Sequence, residues 1–223
     1  MYRIHFRIVS TPAPTRRRQQ TRQRLLDAAL VVFAREGFGR STVEQVCEQA
    51  GFTRGAFYSN FTSLDELFLA IWEQRSEEMQ SDLAAFLTQE PPPVTSLREA
   101  VEHVLSAVPL DDEWYRVTAE FTAHALRNPA LRRVMAQREE RIEAGLMPTL
   151  EALLARVGRR VIDPAALGPA LVAVHDGTSV QCLIEPDNAA VLQRRTDLFV
   201  LLVTAHTVEA DTDVTHTPPE ETP

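Results

Sequence analysis

Apolar residues recur at helical spacing along most of this chain, and helix-capping residues separate the periodic segments. The first segment places apolar side chains at i, i+3, i+4 and i+7, the spacing of one helix face: Leu26, Ala29, Leu30 and Phe33. No segment shows sustained strand alternation flanked by hairpin turns. The pattern therefore predicts an all-α fold of about nine helices, with an N-terminal three-helix domain followed by a C-terminal helical bundle.

Polar residues just before the periodic segments predict where the helices begin. Serine followed three residues later by glutamate, the spacing of a capping box, occurs at residues 41–44, 63–66 and 96–99. Single caps are predicted at Thr53, Asn128, Asp163 and Asp187. The first box starts a short helix at Thr42, the second a long helix to about Leu87, and the last cap a helix that runs to about Glu209.

The charge of the chain is divided unevenly along its 223 residues. The net charge is −8, yet residues 1–60 hold ten Arg and four acidic residues, whereas residues 61–223 hold thirteen Arg and twenty-seven acidic residues. The first segment is therefore at +6 and the second at −14. A basic segment on an acidic chain favours a local anion-binding surface.

The composition excludes several classes of protein. The longest apolar run is seven residues, 28–34, far short of the roughly 20 residues of a membrane span. The N-terminus lacks the continuous apolar stretch of a secretory signal, and Cys47 and Cys182 form neither a disulfide framework nor a metal clip. The six His residues show no metal-ligand spacing, and no catalytic set is evident. We expect a cytoplasmic protein without a cofactor, metal or membrane partner.

The N-terminal segment has helix-turn-helix spacing. Four of the eight glycines lie between residues 37 and 55, and two short helices are predicted on either side of the turn Ala50-Gly51-Phe52. A tight turn of this kind lets one helix cross the other steeply and present it to the major groove of DNA. An ordinary helical hairpin would have the same spacing, so the spacing alone does not distinguish it from a DNA-binding motif.

Residues 21–72 resemble the DNA-binding domain of TetR-family transcriptional regulators. The matching positions extend along the whole segment: Leu25, Leu26, Ala28, Ala29, Phe33, Gly37, Thr42, Val43, Ala50, Gly51, Thr53, Gly55, Tyr58, Phe61 and Leu67. This match is more specific than helix-turn-helix spacing alone. In that family the C-terminal helices diverge, bind an inducing ligand and form the dimer, and residues 75–210 match only in the number and order of helices.

The resemblance implies a double-stranded DNA operator as partner. It assigns DNA contacts to Arg40, Thr42, Thr53, Arg54, Gly55, Tyr58, Ser59 and Asn60. Thr53 and Arg54 would face the major groove, and Thr42, Tyr58 and Ser59 would contact phosphates. Asn60 takes a place often held by an aromatic residue or His. Gly55 keeps the helix surface low, so that backbone can approach DNA.

Three features near this motif have more than one interpretation. Arg16–Arg18 is a solvated charge run or an arm that contacts DNA. Cys47, where the family usually has Ala, is a small core residue or a redox sensor. Leu64 stands where a Lys that touches the DNA backbone is common, and Arg40 or the arginine run would replace that contact.

Ligand and dimer residues are assigned to the C-terminal helices. A largely apolar small-molecule pocket is expected around Trp72, Met79, Phe86, Trp114, Tyr115, Phe121, His124, Met135 and His175, although each of these residues would also serve as core. The last two helices carry apolar stripes that need a cover, and their predicted homodimer interface comprises Leu171, Val174, Thr178, Leu198, Phe199 and Leu202. Packing within one chain is the alternative.

These observations predict a homodimeric repressor that a small molecule releases from a pseudo-palindromic operator. The expected domains are a disordered arm (1–15), a helix-turn-helix domain (16–62), a ligand-binding and dimerisation domain (63–209) and a disordered tail (210–223). The alternatives are an activator, a DNA-binding regulator without a ligand, and a helical enzyme or protein-binding module with a vestigial motif.

Overall fold

The computed structural model describes residues 16–88, 94–108 and 110–210, and within these ranges it contains nine α-helices and two short strands. The helices are α1 (Arg16–Glu36), α2 (Val43–Ala50), α3 (Arg54–Tyr58), α4 (Leu64–Thr88), α5 (Leu97–Ala107), α6 (Asp112–Ala125), α7 (Pro129–Arg156), α8 (Pro164–Ile184) and α9 (Ala189–His206). The all-α prediction is confirmed. The predicted N-terminal arm and the tail beyond residue 210 lie outside the described residues.

Most predicted caps begin the helices where expected, and two are displaced by one residue. The predicted box at residues 41–44 is formed instead by Thr42 and Gln45, because the Ser41 hydroxyl donates to the Gly37 carbonyl at 2.8 Å. At α9 the cap is Asn188 and not Asp187: its side-chain oxygen accepts from the Ala190 N–H. In both places two neighbouring polar residues are able to cap, and local contacts decide between them.

The sequence Thr-Ser-Leu-x-Glu occurs at residues 62–66 and 95–99, and both copies build the same helix start. The hydroxyls of Ser63 and Ser96 accept from backbone N–H groups three residues later. The Glu66 carboxylate accepts from the hydroxyl and backbone N–H of Thr62, and these bonds lower the pKa of Glu66. The entry to α4, which follows the helix-turn-helix, is therefore fixed by its own local sequence.

The predicted last helix is three residues too long. Residues Thr207–Glu209 form a strand, β2, that pairs antiparallel with β1 (Arg159–Val161). The Arg159 guanidinium donates to the side-chain oxygen and the carbonyl of Thr207 at 2.7 and 3.0 Å. A three-residue ladder has no periodicity that a sequence pattern could reveal.

The chain divides into two compact units, and the division falls inside helices. Within the described residues, unit 1 comprises residues 16–74 together with 116–121, and unit 2 comprises the remainder. Helices α4 and α6 therefore contribute to both units. The predicted boundary at residues 62/63 lies at the start of α4, whereas this division follows Gln74.

The core of unit 1 is a cluster of aromatic rings. Phe121 of α6 is fully buried; its ring stacks on Phe68 with centroids 4.0 Å apart and meets Phe38 edge-on at 5.0 Å. Phe33 of α1 packs against Phe38 at 5.1 Å. Edge-on and offset ring pairs of this kind add to the stabilisation from burial. Phe121, predicted to line a ligand pocket, is instead part of this core.

Unit 2 has its own core, formed between α5, α7, α8, α9 and the short ladder. Its buried residues are Val101, Met147, Leu154, Val161, Leu167, Phe199 and Val203. Pro148 lies inside α7, and the helix continues through it to Arg156.

Candidate nucleic-acid interface

Helices α2 and α3 are joined by a three-residue turn with a defined geometry. Gly51 closes α2 in the left-handed region at φ 70°, a conformation that costs glycine little. Thr53 follows in extended conformation, and its hydroxyl accepts from the Ala56 N–H at 3.3 Å. The sequence Gly-Phe-Thr thus ends one helix and begins the next without a loop.

Apolar side chains hold one face of this motif in the unit 1 core. Val46 and Phe57 are fully buried, and Cys47 and Phe61 nearly so. The opposite face of α3 is consequently directed outward. Seven of the eight residues assigned to DNA contacts are exposed: Arg40, Thr42, Thr53, Arg54, Gly55, Tyr58 and Ser59.

Asn60, the eighth, is half-buried and has a structural contact. Its amide donates to the Ala56 carbonyl at 2.8 Å and to the Ser59 hydroxyl at 3.2 Å. The side chain thereby closes the last turn of α3. We therefore assign Asn60 to the support of the helix.

Arg54, the first residue of α3, is held by two neighbours. Its Nη1 lies 2.8 Å from a carboxylate oxygen of Glu44 in the first turn of α2. The Tyr58 ring lies one turn further along α3, with its centroid 5.9 Å from the guanidinium carbon. A hydrogen bond with Tyr58 and the charge of Glu44 raise the pKa of Arg54, which is positive at every physiological pH.

Gly55 lies at an open point of the helix surface. A Cβ built there would meet Thr53 Oγ1 at 3.7 Å, an ordinary van der Waals distance. Nothing within the described chain therefore requires a glycine at this position, in contrast to Gly51. The low surface that Gly55 provides is available to something outside the chain.

Three arginines of α1 bind the carboxyl ends of α2 and α3, a role that the sequence interpretation missed. Arg24 donates to the Ala50 carbonyl at 2.8 Å, and Arg18 to the Ser59 carbonyl at 3.1 Å. Arg22 donates to the Asn60 carbonyl at 3.4 Å and lies over the Phe61 ring. Cations at helix carboxyl ends satisfy the last carbonyls and the helix dipole. The four-residue spacing of Arg18 and Arg22 was the available signal.

Cys47 is surrounded in a way that disfavours redox reactivity. Burial and the negative Glu44 raise the pKa of its thiol, and Arg54 opposes them with a smaller effect. Because the thiolate is the reactive form, a raised pKa makes the side chain less reactive. The geometry supports the core interpretation of Cys47.

Comparisons with known proteins assign both parts of the chain to one family. Residues 25–71 match the model described as bacterial regulatory proteins, tetR family, and residues 93–200 match the BetI-type transcriptional repressor C-terminal model. The chain belongs to the TetR family of transcriptional regulators. The resemblance inferred for residues 21–72 is confirmed.

Individual relatives agree with this assignment. The regulator AcrR of Shigella flexneri is 31% identical over 143 residues, which cover 60% of this chain and 66% of AcrR. The multidrug binding protein EbrR, whose crystal structure contains imidazole, is 27% identical with a TM-score of 0.60 over 90% of this chain and all of EbrR. A TetR-family regulator from Mesorhizobium loti has a TM-score of 0.67 over 87% of this chain and all of its own, and its 20% identity shows the fold alone.

Coverage of the curated relatives is partial. The alignment with SrpR of Pseudomonas putida covers only 30% of that regulator, and the AcrR alignment slightly less than two thirds of AcrR. In the part of this TetR-family chain that the structure describes, no helix has the length and hydropathy of a membrane span.

The nine residues predicted for a ligand pocket are distributed over both units. Trp72 and Phe121 belong to unit 1, and the Phe86 side chain lies outside the described residues. In unit 2, Met135 is buried, whereas Met79, Trp114, Tyr115, His124 and His175 are half-buried. Two open concavities, of about 550 and 380 Å³, are lined by residues 185–190 and by Pro129, Arg132, Arg133 and Ala136, and contain none of the nine.

Two of the predicted pocket residues in unit 2 contact arginine. The Arg75 guanidinium lies 4.7 Å from the centre of a Trp114 ring and 3.0 Å from the Asp111 carboxylate. His175 lies with Nδ1 3.1 Å from Nη2 of Arg195, which is only 4% exposed. Burial and the positive Arg195 lower the pKa of His175 to about 4, so that the imidazole is neutral and accepts from the guanidinium.

The predicted dimer residues separate into exposed and buried sets. Leu198 is exposed, and Leu171, Val174 and Leu202 are half-buried. Thr178 and Phe199 are buried within the chain: the Thr178 hydroxyl donates to the Val174 carbonyl, and Phe199 belongs to the unit 2 core. These two residues are therefore core. The largest exposed apolar side chains of α8 and α9 are Ile184, Leu192, Leu198 and Leu201. The sequence pattern places Leu192 and Leu198 on the apolar stripe of the last helix and does not include Ile184 or Leu201.

Proposed function

We propose that this TetR-family protein is a homodimeric repressor that binds a pseudo-palindromic DNA operator and leaves it when a small molecule binds unit 2. The observation that carries the proposal is the outward face of the helix-turn-helix. It combines exposed hydroxyl and guanidinium donors with an open glycine on a motif whose other face is buried. Donors of these types contact base edges and phosphates.

Helix α3 is the recognition helix in this proposal. Thr53 and Arg54 lie at its amino end, the part that reaches base edges in helix-turn-helix proteins. Tyr58, Ser59, Thr42 and Arg40 lie around it and contact phosphates. The Thr53 hydroxyl accepts from a backbone N–H and keeps its own hydrogen for DNA.

Exposed apolar side chains on α8 and α9 support a homodimer. Leu198 and Leu201 are three residues apart on one face of α9, and Leu201 is 65% exposed. Ile184 at the end of α8 is 72% exposed. A two-fold axis would bury the same patch on both subunits and place two recognition helices one DNA turn apart, roughly 34–36 Å.

A ligand in unit 2 would act through α4 and α6. Each of these helices contributes residues to both units, so a change in its position would alter unit 1. A coupling free energy of about 1–3 kcal/mol is sufficient for regulation. Trp114, Tyr115, Met135 and Met79 are the candidates for a largely apolar pocket, in keeping with the description of EbrR as a multidrug binding protein. A regulator of this kind acts in the cytoplasm, where its DNA is.

The test is a gel-shift assay with the full chain and the DNA that flanks its own gene. We expect a discrete complex with duplex DNA that contains an inverted repeat and weaker binding to a scrambled duplex of equal length. The slope of log K against log salt should be about −0.9 for each phosphate contacted. A folded dimer that fails to bind any duplex at low salt would exclude the DNA-binding function.

The sign of regulation needs a separate measurement. Transcription from the bound promoter should decrease when the protein is added and recover when a ligand weakens the complex. An increase in transcription would identify an activator. A complex that no compound weakens would identify a regulator without a ligand.

A further inference from the structure

We propose that Glu44 of α2 is a positioning residue that holds Arg54 for contact with a guanine and so sets base preference. This inference deepens the proposed DNA-binding function and rests on it. The observation behind it is the pairing of an exposed carboxylate on the supporting helix with the first guanidinium of the recognition helix. Glu44 Oε1 and Arg54 Nη1 are 2.8 Å apart.

The position of the two residues explains why the pair forms. Glu44 lies in the first turn of α2, where the helix dipole favours a negative charge. Arg54 begins α3, where the dipole disfavours a positive charge. The carboxylate therefore offsets an unfavourable location of the guanidinium. An arginine at the amino end of α3 is in the place from which helix-turn-helix proteins read bases.

The pair limits the conformations of a long side chain. Glu44 holds one edge of the guanidinium, and Tyr58, half exposed one turn along α3, lies beside the same group. A guanidinium has five N–H groups in a fixed fork, so one bond to Glu44 leaves donors for the two acceptors of guanine. A side chain fixed before binding loses less conformational entropy when it makes those bonds.

The negative charge of the Glu44 carboxylate also weakens DNA binding. Glu44 is exposed and lies beside Arg54, so its negative charge would stand close to bound DNA and repel it. Its removal should therefore raise affinity for DNA of any sequence to a small extent. A positioning role predicts in addition a loss of discrimination at one base pair. These two effects are separable.

The experiment measures base preference directly. The full-length wild-type protein is used to enrich binding sites from a pool of duplexes with a randomised core. The enriched duplex and its single-base-pair variants then serve as probes for the wild-type protein, Arg54→Ala and Glu44→Gln. Arg54→Ala identifies the base pair that Arg54 reads, by a loss of guanine preference of about 5- to 150-fold at that pair.

Glu44→Gln should lower guanine preference about tenfold at the same base pair and leave preference at the other positions unchanged. A tenfold loss is part of the value of one bidentate contact. In an Arg54→Ala background it should produce no further change at that pair, because the residue acts only through Arg54. Thermal unfolding of the variant should stay close to that of the wild-type protein, since both side chains are exposed and exposed ion pairs contribute little to stability.

Glu48→Gln is the matched control. Glu48 is exposed one turn further along α2 and carries the same charge without a contact to Arg54. It should raise affinity slightly on all sequences and leave base preference intact. The proposal is overturned if Glu44→Gln behaves like Glu48→Gln, or if Arg54→Ala alters preference at no base pair. A wild-type protein that enriches no sequence would instead overturn the DNA-binding function itself.

Discussion

Unit 1 and unit 2 both have an apolar core, and they differ in the polar side chains that they bury and the apolar side chains that they expose. In unit 1 the interior is aromatic, with Phe68 and Phe121 stacked, and the charged and hydroxyl groups of α3 lie outside. In unit 2 the Arg195 guanidinium is inside, whereas Leu201 is exposed on α9. Exposed apolar side chains grouped on one helix face, such as Leu198 and Leu201, are typical of a surface that another molecule covers. In the proposed homodimer, a second subunit covers this face of unit 2.

The largest expected effect concerns the exposed apolar face of α9 in unit 2. Leu201→Asp places a charge on the exposed α9 face, and we expect monomers in sedimentation analysis without loss of helical structure. Operator affinity should fall about 10²- to 10⁴-fold, because the second recognition helix no longer binds at high effective concentration. Leu126→Asp is the control, since Leu126 is equally apolar and 62% exposed at the end of α6. A stable Leu201→Asp dimer would place the interface elsewhere.

The next effect tests whether unit 1 depends on a residue from α6. Phe121→Ala removes a fully buried ring that contacts Phe38 and Phe68. We expect a loss of about 3–5 kcal/mol in the free energy of unfolding, the usual cost of deleting a buried aromatic ring. Urea unfolding followed by circular dichroism measures it. Unchanged stability with altered ligand response would restore Phe121 to the pocket.

A smaller effect is expected on the outer surface of unit 1. Gly55→Ala adds a methyl group that the chain itself accommodates, and alanine is the better helix former, so thermal stability should be unchanged or higher. If DNA approaches the helix at this point, the methyl group displaces α3. We then expect Gly55→Ala to bind the operator about 1–3 kcal/mol more weakly in a titration, the value of one base contact. Undiminished affinity would show that DNA does not approach Gly55.

The smallest effect concerns the interior of unit 2. The pKa of His175 in the folded protein is about 4, below its ordinary value of 6.5, so the unfolded chain binds more protons between these two values. Stability is therefore fully present above pH 6.5 and decreases as the pH falls towards 4. Between pH 7 and pH 5, the free energy of unfolding of the wild-type protein should decrease by about 1–2 kcal/mol more than that of His175→Gln. The glutamine carbonyl accepts from Arg195 at every pH in this range. Equal pH dependence of the two unfolding temperatures would contradict a buried neutral imidazole.

The sequence identified unit 1 more completely than unit 2, and the reason is physical. Caps such as Thr53 and turn glycines such as Gly51 act through their own backbone, so their effect can be recognised from local sequence. The choice between Ser41 and Thr42 as a cap depends on the Ser41 contact with Gly37 and could not be recognised in this way.

In unit 2 one pattern has several structural meanings. Phe199 and Leu201 are two residues apart on an apolar helix, yet one is buried in the core and the other is 65% exposed. Core, pocket and interface all select apolar residues at helical spacing, so periodicity does not separate them. The β1–β2 ladder was missed because its pairing joins residues about 48 positions apart, as in Arg160 and Val208.

The arginine contacts from α1 determine how much of the chain must be transferred when the helix-turn-helix is exchanged between proteins. Helix α3 has five residues, too few to be helical by itself, and the carbonyls of Ser59 and Asn60 directly after it accept from Arg18 and Arg22. A chimera that receives only α2 and α3 leaves these carbonyls without their cations. Transfer of the helix-turn-helix to another protein therefore requires α1 with its arginines as part of the transferred segment.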